Sequence, residues 1–150
     1  MPQSFCKICT HIVFSTKNRQ ALIDKPIENE LFKYLSGICK NQECVPINVG
    51  GYVNHVHILC LLSKKITVIN LLEELKKSSS KWMKTKGDHY NNFYWQDGYG
   101  AFSVSNKDIP IVSKYITNQE KHHKSISFET EFIELLNKYG IDYDERYLWD

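Results

Sequence analysis

The stretch Cys44-Val45-Pro46-Ile47-Asn48-Val49-Gly50-Gly51-Tyr52-Val53-Asn54-His55-Val56-His57-Ile58-Leu59-Cys60-Leu61-Leu62 decides the fold. Two runs rich in β-branched and aliphatic residues flank a glycine pair, and such runs favour extended backbone. They predict a second strand over 44–49, a short Gly50-Gly51-Tyr52 link and a third strand over 53–62, hence an antiparallel hairpin. Upstream, His11-Ile12-Val13-Phe14-Ser15 within 6–17 predicts the first strand, broken at Asn18-Arg19. Between them, Asp24 and Pro26 open a helix in which Ile27, Leu31, Tyr34, Leu35 and Ile38 recur at three and four residues.

Downstream, the run 67–86 is the clearest helix. Val68, Leu72, Leu75, Ser79 and Trp82 form one stripe, and Lys77, Lys81 and Lys84 lie on the opposite side. An aromatic stretch (Tyr90, Phe93, Tyr94, Trp95, Tyr99) leads into a fourth strand over 101–105. A third helix is expected over 108–124, with Asn106 as cap and Pro110 in its first turn. A fourth is expected over 127–139, with Phe128, Phe132, Leu135 and Leu136 inward and Gly140 as the stop. The order β-α-β-β-α-β plus two helices defines an α+β class. It is the ferredoxin-like split β-α-β antiparallel sheet, whose free face the two C-terminal helices can cover. Binding modules and nucleases share this frame, so it does not decide function.

The chain has 150 residues, 42% of them hydrophobic, without repeat or linker, and is expected to form a single domain over 1–150. The formal net charge of +2 hides a division: residues 1–124 carry 17 Lys/Arg against 10 Asp/Glu, and residues 125–150 carry 2 against 7. A basic body suggests a polyanionic partner, with the acidic end off its path. No apolar run approaches a membrane span and no signal-peptide pattern opens the chain, so no membrane partner is expected. Five cysteines, an odd number in a chain large enough to fold without bridges, favour the reducing cytoplasm. Cys6 and Cys9 form a lone CxxC that lacks the second pair a structural zinc site wants, so both read as packed thiols.

His55-Val56-His57 places two imidazoles on one face of the third strand, because residues two apart in a strand point the same way. Alone this is half a metal site, or simply two histidines on a sheet. Tyr115 and Gln119 are four apart and share a helix face with Val112 and Ile116, so both are directed towards the sheet. His122 continues that stripe and His123 lies beside it. An ordinary tyrosine and glutamine at a helix–sheet boundary would fit the same pattern.

These blocks together resemble the single-tyrosine HUH transposases (TnpA-type, including the REP-associated branch), HUH denoting His, hydrophobic, His. The resemblance runs from Gly50-Gly51 and His55-Val56-His57 through Trp95-Gln96-Asp97-Gly98-Tyr99-Gly100-Ala101-Phe102-Ser103-Val104-Ser105. It continues with Tyr115-Ile116-Thr117-Asn118-Gln119-Glu120-Lys121-His122-His123-Lys124 and ends with Tyr143-Asp144-Glu145-Arg146-Tyr147-Leu148-Trp149-Asp150. It implies that His55, His57 and Gln119 hold a divalent metal, Mg2+ or Mn2+, and that Tyr115 attacks a phosphodiester in single-stranded DNA carrying hairpins. It further implies a 5′-phosphotyrosine with a free 3′-OH and no nucleotide cofactor, and it favours a homodimer, in which the tyrosine helix can serve the partner's site, over the monomer of the REP-associated branch. Asn54 departs from the acidic residue that many relatives carry before the triplet.

A tyrosine hydroxyl is a poor nucleophile near neutral pH, so a metal that neutralises the phosphate suits the reaction. Two imidazoles and one amide make an uncharged cage, from which tight metal binding is expected to require DNA. For DNA contacts, Lys77, Lys81 and Lys84 offer backbone attraction, and Trp95 and Tyr99 are candidates to stack unpaired bases. A solvated helix face and a set of core aromatics fit the same residues. Two rival functions use the same frame: a non-catalytic single-stranded nucleic-acid-binding module, and a phosphodiesterase using a histidine-activated water.

Overall fold

A computed structural model describes residues 2–150. Four strands form one antiparallel sheet in the order β2-β3-β1-β4: β1 (Cys9–Ser15), β2 (Val45–Tyr52), β3 (His55–Leu61) and β4 (Gly100–Val104). This is the strand order of the split β-α-β frame, with α1 (Lys25–Asn41) and α2 (Val68–Met83) in the expected places. Pro46 sits on the edge strand β2, where a missing N–H costs no ladder bond, and the register shifts between Pro46 and Asn48.

The hairpin differs from the expectation in one respect. Glycines 50 and 51 lie inside β2, paired with His57 and Val56, and the link is the two-residue turn Val53-Asn54. Gly50 is required by close packing rather than by a turn. A Cβ there would stand 2.8 Å from the Ile116 carbonyl oxygen and 2.9 Å from its Cγ2, so the glycine lets the tyrosine-bearing helix lie against the strand.

Alternation along β1 and β3 sorts two cores. Ile12, Phe14, Val56, Ile58 and Cys60 face α1 and α2, where they pack with Leu31, Leu35, Leu71, Leu72 and Leu75. His11, Val13, His55, His57 and Leu59 alternate with them and therefore face the other side. That side is covered by α3 (Ile109–Thr117), α4 (Gln119–His122) and α5 (Phe128–Lys138), where Ile116, Phe128, Phe132 and Leu135 pack on sheet residues that include Val13, Leu59 and Phe102.

The third predicted helix is thus two. It begins after a 3-10 turn at Asn106–Asp108, so Asp108 rather than Asn106 is the residue before its first turn, and it breaks at Asn118. Thr117 Oγ1 donates back to the Ser113 carbonyl at 3.2 Å, and Asn48 Nδ2 donates to the same carbonyl at 2.8 Å. Competition for that carbonyl bends the helix at its end. The segment after α5 is anchored at its end: Leu148 and Trp149 lie against the α5 core, Arg19 sits 4.9 Å over the Trp149 ring, and Gln96 Nε2 donates to the Trp149 carbonyl.

Candidate active site

His55 and His57 are fully buried on the sheet face beneath α3–α5. The turn residue Asn54 fixes the first ring. Its Nδ2 donates to the Arg19 carbonyl, which leaves Oδ1 facing His55 Nδ1 at 2.9 Å. An oxygen acceptor there places the proton on Nδ1 and leaves the lone pair on Nε2. His57 Nδ1 stands 2.8 Å from His11 Nε2, and its Nε2 points away from the strand to the same place as that of His55.

Gln119 follows Tyr115 by one turn and is buried, with Oε1 2.9 Å from His55 Nε2. The same oxygen lies 2.9 Å from Nε2 of His123, whose Nδ1 donates to the Ile126 carbonyl at 2.9 Å. The helix break puts His123 inward and leaves His122 partly exposed, the reverse of what a continuous stripe predicts.

Glu131 of α5 occupies the centre, buried at 1% exposure. Its Oε1 is 3.0 Å from His57 Nε2, 3.2 Å from His123 Nε2 and 3.4 Å from His55 Nε2. Its Oε2 accepts from the Tyr115 hydroxyl and from Gln119 Nε2 at 3.0 Å, and lies 3.4 Å from His122 Nε2. One carboxylate therefore touches every candidate of the metal and nucleophile set, either directly or through its neighbour. The acidic end of the chain does not all lie apart from the site, because α5 supplies this residue.

Glu131 carried a legible signal. In the inward stripe of α5 it stands three residues after Phe128 and four before Leu135, an acid where the periodicity asks for an apolar side chain.

Charge follows geometry. Burial raises the carboxyl's affinity for a proton, but hydrogen bonds from His123 and His57 outweigh it and hold Glu131 well below the usual carboxylate range. Burial, with the charge of His57 second, pulls His55 down to about 3, and burial does the same to His11. Burial also opposes the charged form of His123, yet its hydrogen bond to Glu131 pushes it above the ordinary histidine value. Burial and then the negative charge of Glu131 raise the Tyr115 hydroxyl above its ordinary value.

The donor set suits a hard divalent cation. Oxygen and imidazole-nitrogen atoms crowd one point at 2.9–3.4 Å from each other, close to the roughly 3 Å that separates neighbouring ligands of an octahedral ion bound at about 2.1 Å. His55, His57 and Glu131 form one group that could hold an ion. Several of these atoms present lone pairs to one another, an arrangement that a cation or shared protons must relieve.

The DNA candidates fare unevenly. Trp95 is in the core: it packs edge-on against Phe14 and Phe93, and its Nε1 donates to Ser79 Oγ at 2.9 Å, so it presents no face to a base. Lys84 is turned inward onto the Phe93 carbonyl and the Tyr94 ring. Lys77 and Lys81 are exposed on α2, which the sheet separates from Tyr115. Tyr99 is 39% exposed, near Lys76, whose ammonium binds the carbonyls of Gln96, Asp97 and Gly98. A cavity of about 240 Å³ opens beside Tyr115, lined by His11, Val112, His122, Glu131, Leu135 and Tyr139 among others.

Comparison with known proteins assigns the family. The chain belongs to the IS200-like transposase family: the model described as "Transposase IS200 like" matches residues 4–119. Among solved structures it is similar to a candidate transposase from Deinococcus radiodurans R1, with a TM-score of 0.62 and 20% identity over 79% of this chain and 98% of that one. It is also similar to a REP-associated tyrosine transposase bound to a REP hairpin, with a TM-score of 0.61 and 15% identity over 84% of this chain and 74% of that one. No curated protein sequence matches. Membership gives the chain a transposase role and DNA-cleaving activity as its class of reaction. Among the described residues, no helix is long and apolar enough to cross a membrane.

Proposed function

We propose that the chain cleaves and rejoins single-stranded DNA at hairpin-marked element ends, with Tyr115 as nucleophile. The phenolic oxygen bonds to the scissile phosphorus as the bond to the 3′ oxygen breaks, and the proton that the phenol loses is balanced by the one the departing 3′ oxygen takes up, leaving a 5′-phosphotyrosine and a free 3′-OH. Because the covalent link conserves the bond energy, rejoining needs no nucleotide cofactor. His55, His57 and Gln119 hold a divalent metal, Mg2+ or Mn2+, which when bound neutralises charge on the phosphate oxygens. Glu131 Oε2 positions the Tyr115 hydroxyl.

The observation that carries this reading is that Tyr115 and the pair His55–His57 of one chain converge on a single buried carboxylate. The nucleophile thus reaches the histidines of its own chain, and a homodimer would hold two complete sites. Lys77 and Lys81, with Tyr99, remain candidates for the hairpin stem rather than for the cleaved bond.

The test is incubation with a hairpin-flanked single-stranded oligonucleotide and Mn2+, with the modified residue identified by mass spectrometry. A covalent adduct on Tyr115 is expected. Its absence over a broad range of sequences overturns the transposase reading in favour of a binding module, and turnover that survives Tyr115→Phe favours a water-activating phosphodiesterase.

A further inference from the structure

We infer that Glu131 is an anionic ligand of the metal centre, so that this chain binds its divalent ion before DNA arrives. The inference rests on the reading of His55, His57 and Gln119 as metal ligands and deepens it. Two imidazoles and an amide carry no charge, and such a cage would have to borrow its anionic ligands from the substrate phosphate. The fold instead brings in a carboxylate from α5 and buries it completely.

The orientation of the carboxylate argues for this role. Oε1 faces the three Nε2 atoms of His55, His57 and His123, at 3.0 to 3.4 Å. Two of those rings have their Nδ1 atoms facing fixed oxygens, Asn54 Oδ1 and the Ile126 carbonyl, so in their neutral form, the form that binds a metal, their Nε2 lone pairs point at Oε1 and at Gln119 Oε1. Contacts this short between imidazole nitrogens and a carboxylate need a proton or a cation between them, and a divalent cation converts each contact into a ligand bond. Oε2 is engaged separately with Tyr115 and Gln119 Nε2. The two oxygens thus divide between the metal point and the nucleophile. A net negative ligand also raises affinity for hard divalent ions, which bind in proportion to ligand charge.

The experiment titrates Mn2+ into the DNA-free protein and follows the electron paramagnetic resonance signal of free manganese. Wild type is expected to take up one ion with saturable affinity. Glu131→Gln keeps the shape of the side chain but loses its charge, and is expected to weaken uptake by at least about tenfold. Tyr115→Phe is expected to bind manganese as wild type does while forming no DNA adduct. Circular dichroism checks the fold of each variant. If Glu131→Gln does not fold, hyperfine coupling between bound manganese and isotope-labelled glutamate carboxylate in the wild type decides the matter, and its presence supports ligation. Manganese uptake only after hairpin DNA is added, unchanged affinity in a folded Glu131→Gln, or absent coupling each overturns the inference. Adduct formation alongside any of these would leave the transposase reading standing, and manganese binding without any adduct would do the reverse.

Discussion

The hydroxyl of Tyr115 donates to Oε2 of Glu131, across the gap between α3 and α5. The bond ties the candidate nucleophile to a residue sixteen positions later in the chain, and it turns the phenol towards the histidine pair: the rings of Tyr115 and His57 are 5.7 Å apart between centroids and nearly perpendicular.

Tyr115→Phe follows from that contact. Removing the hydroxyl should abolish the adduct entirely. It leaves Glu131 Oε2 with Gln119 Nε2 as a donor, so the stability loss should stay near the 1 kcal/mol expected for one hydrogen bond in a site that keeps another. Chemical denaturation of the variant checks the second statement. A loss above about 4 kcal/mol would mean that the hydroxyl is primarily structural.

Stability should fall steeply in mild acid. His11 and His55 are buried neutral with proton affinities pulled down to about 3, burial being the main cause in both. Unfolded, each takes up a proton near pH 6.5. A group with a depressed histidine pKa binds more protons unfolded than folded between about pH 3 and pH 6.5, so stability is lost as pH falls through that window. Two such groups give a slope of up to roughly 2.7 kcal/mol per pH unit. Glu131, held below the carboxylate range by His123 and His57 although burial opposes it, acts in the same direction below about pH 4.5. Thermal melts of the metal-free protein from pH 7 to pH 4 test this, and a flat midpoint would contradict it.

Much of this arrangement is legible in the sequence because it depends on local periodicity. Alternation in His55-Val56-His57 assigns both imidazoles to one face, and the four-residue spacing of Tyr115 and Gln119 assigns both to another. What alternation cannot give is the partner across the gap. Glu131 belongs to the acidic end, and charge counting reads that end as lying off the path of a polyanion, although the stripe of α5 marks Glu131 as inward. Trp95 shows the opposite failure. An aromatic residue in a loop before a strand fits a base-stacking surface, but only the packing of Phe14, Phe93 and Ser79 reveals that the ring is buried. The glycine pair misled for a similar reason, since a glycine needed for close approach and a glycine needed for a turn look alike in one sequence.

Asn54 supplies a third prediction. Its Oδ1 fixes the His55 tautomer, so Asn54→Leu should free the ring and weaken Mn2+ uptake by about tenfold or more. Asn54→Asp keeps an acceptor at the same place and adds charge, and should bind at least as tightly as wild type. The free-manganese signal distinguishes the two variants, and equal affinity in both would remove Asn54 from the support of the centre.

The last prediction links the sheet to the nucleophile. Gly50 lies beneath α3, and a methyl group there meets the carbonyl oxygen of Ile116 at 2.8 Å, an atom of backbone that no rotamer change can move aside. Gly50→Ala must therefore push α3 off β2. Overpacking of this kind costs about 1–3 kcal/mol, and because Ile116 is the neighbour of Tyr115, the displacement also moves the phenol from Glu131. Adduct formation should fall by well over tenfold, since a shift of about 1 Å can cost a hundredfold in rate. The histidine pair and Glu131 sit on other elements, so manganese binding should change less than the adduct yield. Gln119, two residues beyond Thr117, is the proposed ligand that the shift would move most. An alanine variant with wild-type stability and wild-type adduct yield would show that α3 is not held against the strand at Gly50.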